Sequence, residues 1–342
     1  MSENLRVPAV TAVDRPRWSV VIPVHNCAGY LAQALPEVLA QISDRDDTEI
    51  IVVDDASSDE PARVVERLGG GRVTYRPNPR HLGAVNTFNR CVELATGELV
   101  HLLHGDDAVL PGFYPAMERA LADPTAIAAV CRVQDVDARN TPTYVSRSYR
   151  SGTGVWTNAL DALAVSNRVR APGIVVRRAA YEQVGGYRSD LPHGADWEMW
   201  TRLAAHGPVV FVDEVLASYR RHDTSDTSTR VRSGANVRER VTVIGVLGGY
   251  VAPNRRARTA RRALAYAVVF ATRTALSLLR AGEWGAAARQ GREAVRCAWL
   301  LPRGVPIDPA LSGNPRSAAV DRIATVGAEH EEEAIRWPKH RP

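Results

Sequence analysis

The sequence is poor in the features that mark secreted, redox-active and membrane-spanning chains. It has four cysteines in 342 residues. Cys27, Cys91, Cys131 and Cys297 lie far apart and form no Cys-x-x-Cys pair. No zinc or redox motif follows, and a reducing compartment is expected. Met1 to Arg17 are polar, include Pro8 and Pro16, and lack the apolar centre of a signal peptide. Long apolar runs are scarce. Residues 241–252 are too few to span a bilayer; residues 263–279 are interrupted by Arg273 and read as a buried helix. A cytoplasmic chain is therefore expected, with contact at the periphery of a membrane left open. No Gly-x-Gly-x-x-Gly follows an early strand, which argues against a dinucleotide-binding dehydrogenase. No internal repeat is present.

What is there is ordinary for a globular protein of one or two domains. The net charge of +5 suits an anionic small-molecule substrate and is too small to argue for nucleic acid. Basic residues gather late, at Arg255, Arg256, Arg258, Arg261 and Arg262. Such a run reads as a solvated helix face or a contact with anionic lipid or a partner.

Strand and helix patterns alternate along the first part of the chain. Strands are read at 18–24, 49–53, 72–76, 98–103, 127–136, 174–176, 209–212 and 215–219. Helices are read at 29–41, 61–68, 84–95, 111–121, 179–184 and 196–205. Residues 137–153 are turn-rich, and 223–233, rich in Ser, Thr and Asp, read as a flexible loop or linker. From there to about residue 301 Ala, Arg and Leu recur at helical spacing. The strands are apolar throughout, the mark of a largely parallel sheet covered on both faces.

Two strands end in paired acids: Asp54-Asp55 and, in His104-Gly105-Asp106-Asp107, Asp106-Asp107. Parallel strands place their carboxyl ends on one edge, where α/β sheets bind ligands. Both pairs should meet in one cleft. Adjacent carboxylates are costly there unless a cation neutralises them, and a hard divalent metal carrying a phosphorylated substrate is suited to the task. Gly-Asp-Asp is also plain turn chemistry. Ser57 and Asp59 fit an N-cap for the helix at 61–68.

Five segments, in order across roughly residues 18–228, resemble the inverting glycosyltransferases of family 2, which have the GT-A fold. They are Ser19-Val20-Val21-Ile22-Pro23-Val24-His25-Asn26; Ile51-Val52-Val53-Asp54-Asp55-Ala56-Ser57-Ser58-Asp59; Leu103-His104-Gly105-Asp106-Asp107; Gly185-Gly186-Tyr187-Arg188 followed by Gly194-Ala195-Asp196-Trp197-Glu198-Met199-Trp200; and Ser218-Tyr219-Arg220-Arg221-His222. The resemblance implies an α/β GT-A fold, with a mostly parallel central sheet and helices on both faces, to which the helical spacing of the later residues adds a C-terminal α-helical region. It covers a glycosyltransferase domain at 18–228 and says little about residues beyond 231; composition reads 1–17 as a flexible tail and 229–302 as a helical region. Residues 303–342 read as a linker, a further helix at 321–335 and a loose end.

The same resemblance implies roles. Pro23 and His25 border the nucleotide, His25 standing where many relatives have Tyr or Phe. Asp55 reads the base by accepting from a ring N–H, while Asp54 holds its loop. Asp106 contacts the ribose or a metal-bound water. Asp107 binds Mg²⁺ or Mn²⁺, His222 reaches the metal or the diphosphate, and Gly105 replaces an acid some relatives carry. Asp196 is the general base, with Ala195 where relatives often have Glu. Tyr187, Trp197 and Trp200 stand on the acceptor side.

The expected activity is transfer of a sugar from a nucleotide-diphosphate donor to an acceptor hydroxyl. UDP is the favoured donor nucleotide, with dTDP and GDP as alternatives. The acceptor is a small molecule, glycan or glycolipid. The helical region packs on the core, shapes the acceptor cleft or dimerises. A nucleotidyltransferase would want a Gly- and Arg/Lys-rich loop where Pro23-Val24-His25-Asn26 stands. A non-catalytic sugar-nucleotide-binding or scaffold protein would be expected to lack Asp107 or Asp196.

Overall fold

The computed structural model describes residues 6–12, 14–42, 45–222 and 226–306. Strands β1 (Trp18–Val24), β2 (Thr48–Asp54), β3 (Val73–Pro77) and β4 (Leu99–Leu102) are linked by helices α1 (Ala28–Ile42), α2 (Pro61–Leu68) and α3 (Ala84–Leu94). They lie in the order β3-β2-β1-β4, all parallel. β1 and β4 are buried at every residue, which explains why their sequences are apolar on both faces. Trp18, Val20 and Ile22 join one core with α1; Val21 joins the other.

Beyond β4 come β5 (Ala108–Val109), α4 (Phe113–Ala120), β6 (Ala128–Val136), β7 (Pro142–Val145), β8 (Gly154–Val155), α5 (Ala159–Leu163), β9 (Ile174–Arg177), α6 (Arg178–Val184), α7 (Ala195–His206) and β10 (Val209–Arg220). β9 runs antiparallel to both β4 and β6, and β10 runs parallel to β6. Strands β1, β2, β3, β4, β6 and β10 therefore point one way, while β5, β7, β8 and β9 oppose them. The sheet is mixed, but its long strands still end on a common edge. The two strands read at 209–212 and 215–219 are one strand, irregular where its register against β6 shifts between Val212 and Ala217.

Four helices follow: α8 (Asp226–Ser233), α9 (Ala235–Leu247), α10 (Pro253–Arg280) and α11 (Trp284–Leu300). The stretch expected as a loop at 223–233 is thus helical from Asp226. Its Ser/Thr/Asp composition is a poor helix former, and tertiary contacts override it. Gln290 Nε2 donates to the Val231 carbonyl (2.6 Å) and Arg289 Nε to that of Arg232 (2.8 Å). Val237, Val241 and Ile244 of α9 share a core with Trp197, Trp200 and Leu203 of α7.

α10 is long and apolar enough, by length and composition, to cross a membrane. The expectation of a buried helix holds for one stripe only. Ala263, Leu264, Ala267, Ala271 and Ala275 are buried, while Val269, Leu276 and Leu279 are exposed. Nor is the N-terminal stretch loose throughout. Val7 is buried, the Pro8 carbonyl accepts from Arg178, and Val10 N–H donates to Glu182. The helix expected at 321–335 lies outside the described residues.

Candidate active site

β1 and β2 end side by side, Val24 opposite Asp54. Asp54 closes its own loop: Oδ1 accepts from the Ser57 N–H (3.0 Å) and hydroxyl, and Oδ2 from the Tyr75 hydroxyl. Asp59 does not cap α2. Its carboxylate accepts from the Ala28 N–H (2.7 Å) and caps α1 instead, while Glu60 precedes α2 with no side-chain cap.

Asp55 is buried and saturated. Oδ1 accepts from Asn78 Nδ2 (2.9 Å) and the Leu82 N–H (2.7 Å); Oδ2 accepts from the Gly83 N–H (2.9 Å) and faces His81 Nδ1 at 2.9 Å. A carboxylate offers about four lone-pair sites, so all are taken. Burial raises its pKa, but the hydrogen bonds from Leu82, Asn78, Thr87 and Gly83 outweigh this and hold it below the ordinary value. His25 donates to the Asp55 carbonyl (2.9 Å), and its ring lies 4.3 Å from that of His81. His25, Asp55 and His81 could be read as a metal cluster. The saturated carboxylate between them argues against it.

At the end of β4 the ladder to β1 continues: Leu103 N–H donates to Val21 O and Gly105 N–H to Pro23 O (3.1 Å). A Cβ on Gly105 would lie 2.6 Å from Val24 Cγ1 and 3.0 Å from Cys27 Sγ. An acid could stand there only if the side chains of Val24 and Cys27 shifted. Asp107 is buried; Oδ1 accepts from the Arg220 N–H (2.9 Å), but Oδ2 is shut off from solvent without a hydrogen bond among the described residues and faces His104 Nδ1 at 3.7 Å. Burial, and then the charge of Asp106, raise the Asp107 pKa well above the ordinary value. Burial also pushes Asp106 up, yet the hydrogen bond from His222 (3.0 Å) and the charges of His104 and His222 bring it below that value. Arg220 Nε donates to the Asp106 carbonyl (2.8 Å), and its guanidinium lies over the Tyr30 ring.

Ligand atoms of His104, Asp106 and Asp107 lie within 4.8 Å of one another. A buried carboxylate oxygen without a donor, beside a second carboxylate, is costly unless protonated or met by a cation. The donor set fits a hard divalent ion, which takes oxygen ligands and tolerates an imidazole.

Asp196 is the second residue of α7. Its Oδ2 accepts from Asn167 (2.9 Å) and its Oδ1 from the Trp197 N–H (2.6 Å). The helix start is held from α9: Glu239 Oε1 accepts from the N–H groups of His193 (2.7 Å) and Gly194 (2.8 Å). A Cβ on Gly194 would come within 2.5 Å of Val243, so only glycine lets α9 approach this closely. Both Asp106 and Asp196 raise the proton affinity of His104 against the larger, lowering effect of burial. His104 is stacked on Phe88 and is close enough to Asp106 and Asp196 to feel the charge of each.

The structure gathers Pro23, His25, Asp55, Asp106, Asp107 and His222 at neighbouring strand ends, and places Asp196 in the first turn of α7. His222 meets Asp106 and is absent from the clustered donor set; His104, unassigned from the sequence, takes part in it. The expected acceptor-side roles of Tyr187 and Trp200 give way to packing. Both are buried, and their rings meet edge to face at 6.0 Å. Trp197 is also buried, its indole donating to the Leu163 carbonyl, but its ring carries the Arg240 guanidinium at 5.0 Å. Glu239 and Arg240 were not legible as site residues, for nothing in the pattern of α9 ties it to Asp196.

Residues 19–185 match the family described as glycosyl transferase family 2. An uncharacterized protein of Mycobacterium tuberculosis is 32% identical over 229 residues, 64% of this chain and 70% of that protein. A Mycobacterium bovis protein described as a PGL/p-HBAD biosynthesis glycosyltransferase is 26% identical over 212 residues, 60% of this chain and 77% of that one. Among solved structures, a mannosyltransferase from Pyrobaculum calidifontis, in complex with GDP-Man and Mn²⁺, aligns with a TM-score of 0.53 at 20% identity, covering 85% of this chain and 88% of that chain. TarS of S. aureus, in complex with UDP-GlcNAc, aligns with a TM-score of 0.54 at 14% identity, covering 84% and 92%. These likenesses establish the GT-A fold.

Proposed function

From the premise that this chain belongs to glycosyl transferase family 2, we propose that it is a metal-dependent inverting enzyme moving a sugar from a nucleotide-diphosphate donor to an acceptor hydroxyl. The observation that carries this reading is the buried Asp107 Oδ2 beside Asp106; this oxygen has no hydrogen bond among the described residues and faces His104 Nδ1 at 3.7 Å. Asp106 and Asp107, with His104 or His222, would hold Mg²⁺ or Mn²⁺. When bound, the cation supplies charge neutralisation for the diphosphate and the leaving nucleotide.

The chain's own residues supply the rest. Asp196 accepts the proton of the acceptor hydroxyl. The freed oxygen attacks the anomeric carbon from the face opposite the diphosphate, whose bond to that carbon breaks with the electron pair leaving on the nucleotide. Configuration inverts. Glu239 and Asn167 hold Asp196 in place. At the base, Pro23 and His25 border the ring, and Asp55 accepts its N–H after exposed His81 swings aside. The bound nucleotides of the Pyrobaculum and S. aureus proteins keep both GDP and UDP donors in play, with UDP favoured.

A thermal-shift panel of UDP-, dTDP- and GDP-sugars with and without Mn²⁺ tests the reading. One donor at ~100 times its Kd should stabilise the protein by about 2.7 kcal/mol in Mn²⁺. No shift with any donor would overturn it.

The helical region supports contact of the enzyme with an anionic membrane surface. Trp284, Val295 and Trp299 are spaced along one face of α11 and are 70%, 70% and 57% exposed, and arginines crowd the first half of α10. Co-sedimentation with phosphatidylglycerol vesicles should fall sharply in a Trp284→Ala/Trp299→Ala double variant. Unchanged binding, or a concentration-dependent dimer that the double variant abolishes, would contradict it.

A further inference from the structure

Arg240, on α9, carries a buried charge that sugar transfer as described leaves unused. Its guanidinium sits among three aromatic rings, 5.0 Å from the Trp197 centroid, 4.9 Å from Phe270 and 5.8 Å from Tyr266. Its Nε and one terminal nitrogen are out of reach of solvent and have no hydrogen-bond acceptor among the described residues. Ring faces attract the cation but leave its in-plane N–H donors unsatisfied. Buried charged donors in that state are costly, and a fork of this kind matches a phosphate or carboxylate.

The neighbouring acceptors make their hydrogen bonds elsewhere: Asp196, whose charge acts on Arg240, accepts from Asn167 and from the Trp197 N–H. Glu239 is taken by the start of α7, and Asn236 Oδ1 accepts from Gln290 Nε2 (2.8 Å). Arg240 lines a cavity of about 50 Å³ together with Asp196. Tyr266 and Phe270, two rings of the cage, also wall a larger cavity of about 380 Å³, which Arg221 and Arg273 line as well. Arg221 directly precedes His222, the partner of Asp106.

We propose that Arg240 binds an anionic group of the acceptor, a phosphate or a carboxylate, and so presents the acceptor hydroxyl to Asp196. The inference rests on the glycosyl-transfer reading for the word acceptor, and on the geometry alone for the anion site. Arg240 is a specificity-determining residue in this account.

The test uses the full chain in EDTA, so that Asp106 and Asp107 hold no cation, and titrates phenyl phosphate, benzoate and phenol by calorimetry. Phenyl phosphate or benzoate should bind, the stronger of the two identifying the preferred anion, and phenol should not. Arg240→Gln should weaken that binding at least tenfold. Arg240→Lys, which keeps the charge and most of the packing but loses the fork, should fall between. Absence of anion binding to the wild type, or equal binding by Arg240→Gln and Arg240→Lys, would overturn the proposal. Donor affinity in Mn²⁺, read on the same variants, separates the two readings. Arg240→Lys should leave it within twofold of wild type. An anion site without any donor binding would retain the site but remove its role toward an acceptor.

Discussion

Asp55 and Asp107 each complete an Asp-Asp pair after parallel strands, β2 and β4, that flank the same β1, and both are all but inaccessible to solvent. Their surroundings are opposite. Asp55 is met by four donors and its pKa is lowered; Asp107 has one donor, an oxygen with none among the described residues, and a pKa raised by burial and by Asp106. The first carboxylate ties loop 78–83 to the sheet and contributes to folding. The second is a site of unmet charge. Arg240 extends that contrast on the other sign of charge, since two of its buried nitrogens have no acceptor among the described residues.

Substitutions should break the two halves differently. The largest effect is expected at Asp196→Asn, with turnover reduced ~10²–10⁴-fold while calorimetric donor affinity stays near wild type. Near-normal turnover would put the base elsewhere. Next is Asp55→Asn, which leaves buried N–H donors facing an amide. Urea unfolding in EDTA should show a loss of about 3 kcal/mol. Asp107→Asn, by removing an unpaired buried charge, should be neutral or stabilising in the same experiment. Equal losses would erase the contrast.

The acid limb sharpens the comparison. Asp55 has a folded pKa below its unfolded one, so its contribution is present above the unfolded value near 3.8 and is lost as pH falls through the folded value. Asp55→Asn should flatten the stability–pH curve in that range. The smallest effect is expected at Glu239→Ala, where loosening the start of α7 should lower turnover about tenfold with donor affinity unchanged.

Much of the nucleotide half was legible in the sequence. Apolar runs ending in acids are forced by a sheet buried on both faces, and parallel β1, β2 and β4 bring those ends together. Gly105 was read as a missing acid; the structure gives it a steric reason. Asp59 was placed on the nearer helix because loop geometry, rather than spacing, sends it back to α1. Tyr187 and Trp200 show the limit of aromatic patterning, which does not say which face a ring takes. The acceptor half was hardest to read. Glu239 meets the N–H groups that open α7 because Gly194 lets α9 come close, and α8 is helical through contacts with α11 that its own sequence does not announce.

The central claim is that the unmet charge at Asp107 awaits a cation carrying the donor. Calorimetric titration of the best-shifting nucleotide sugar, with and without Mn²⁺, tests it on wild type and Asp107→Asn. The account predicts that Mn²⁺ strengthens donor binding about 100-fold in the wild type and has no effect on the variant. The same Mn²⁺-dependent gain in both would contradict it.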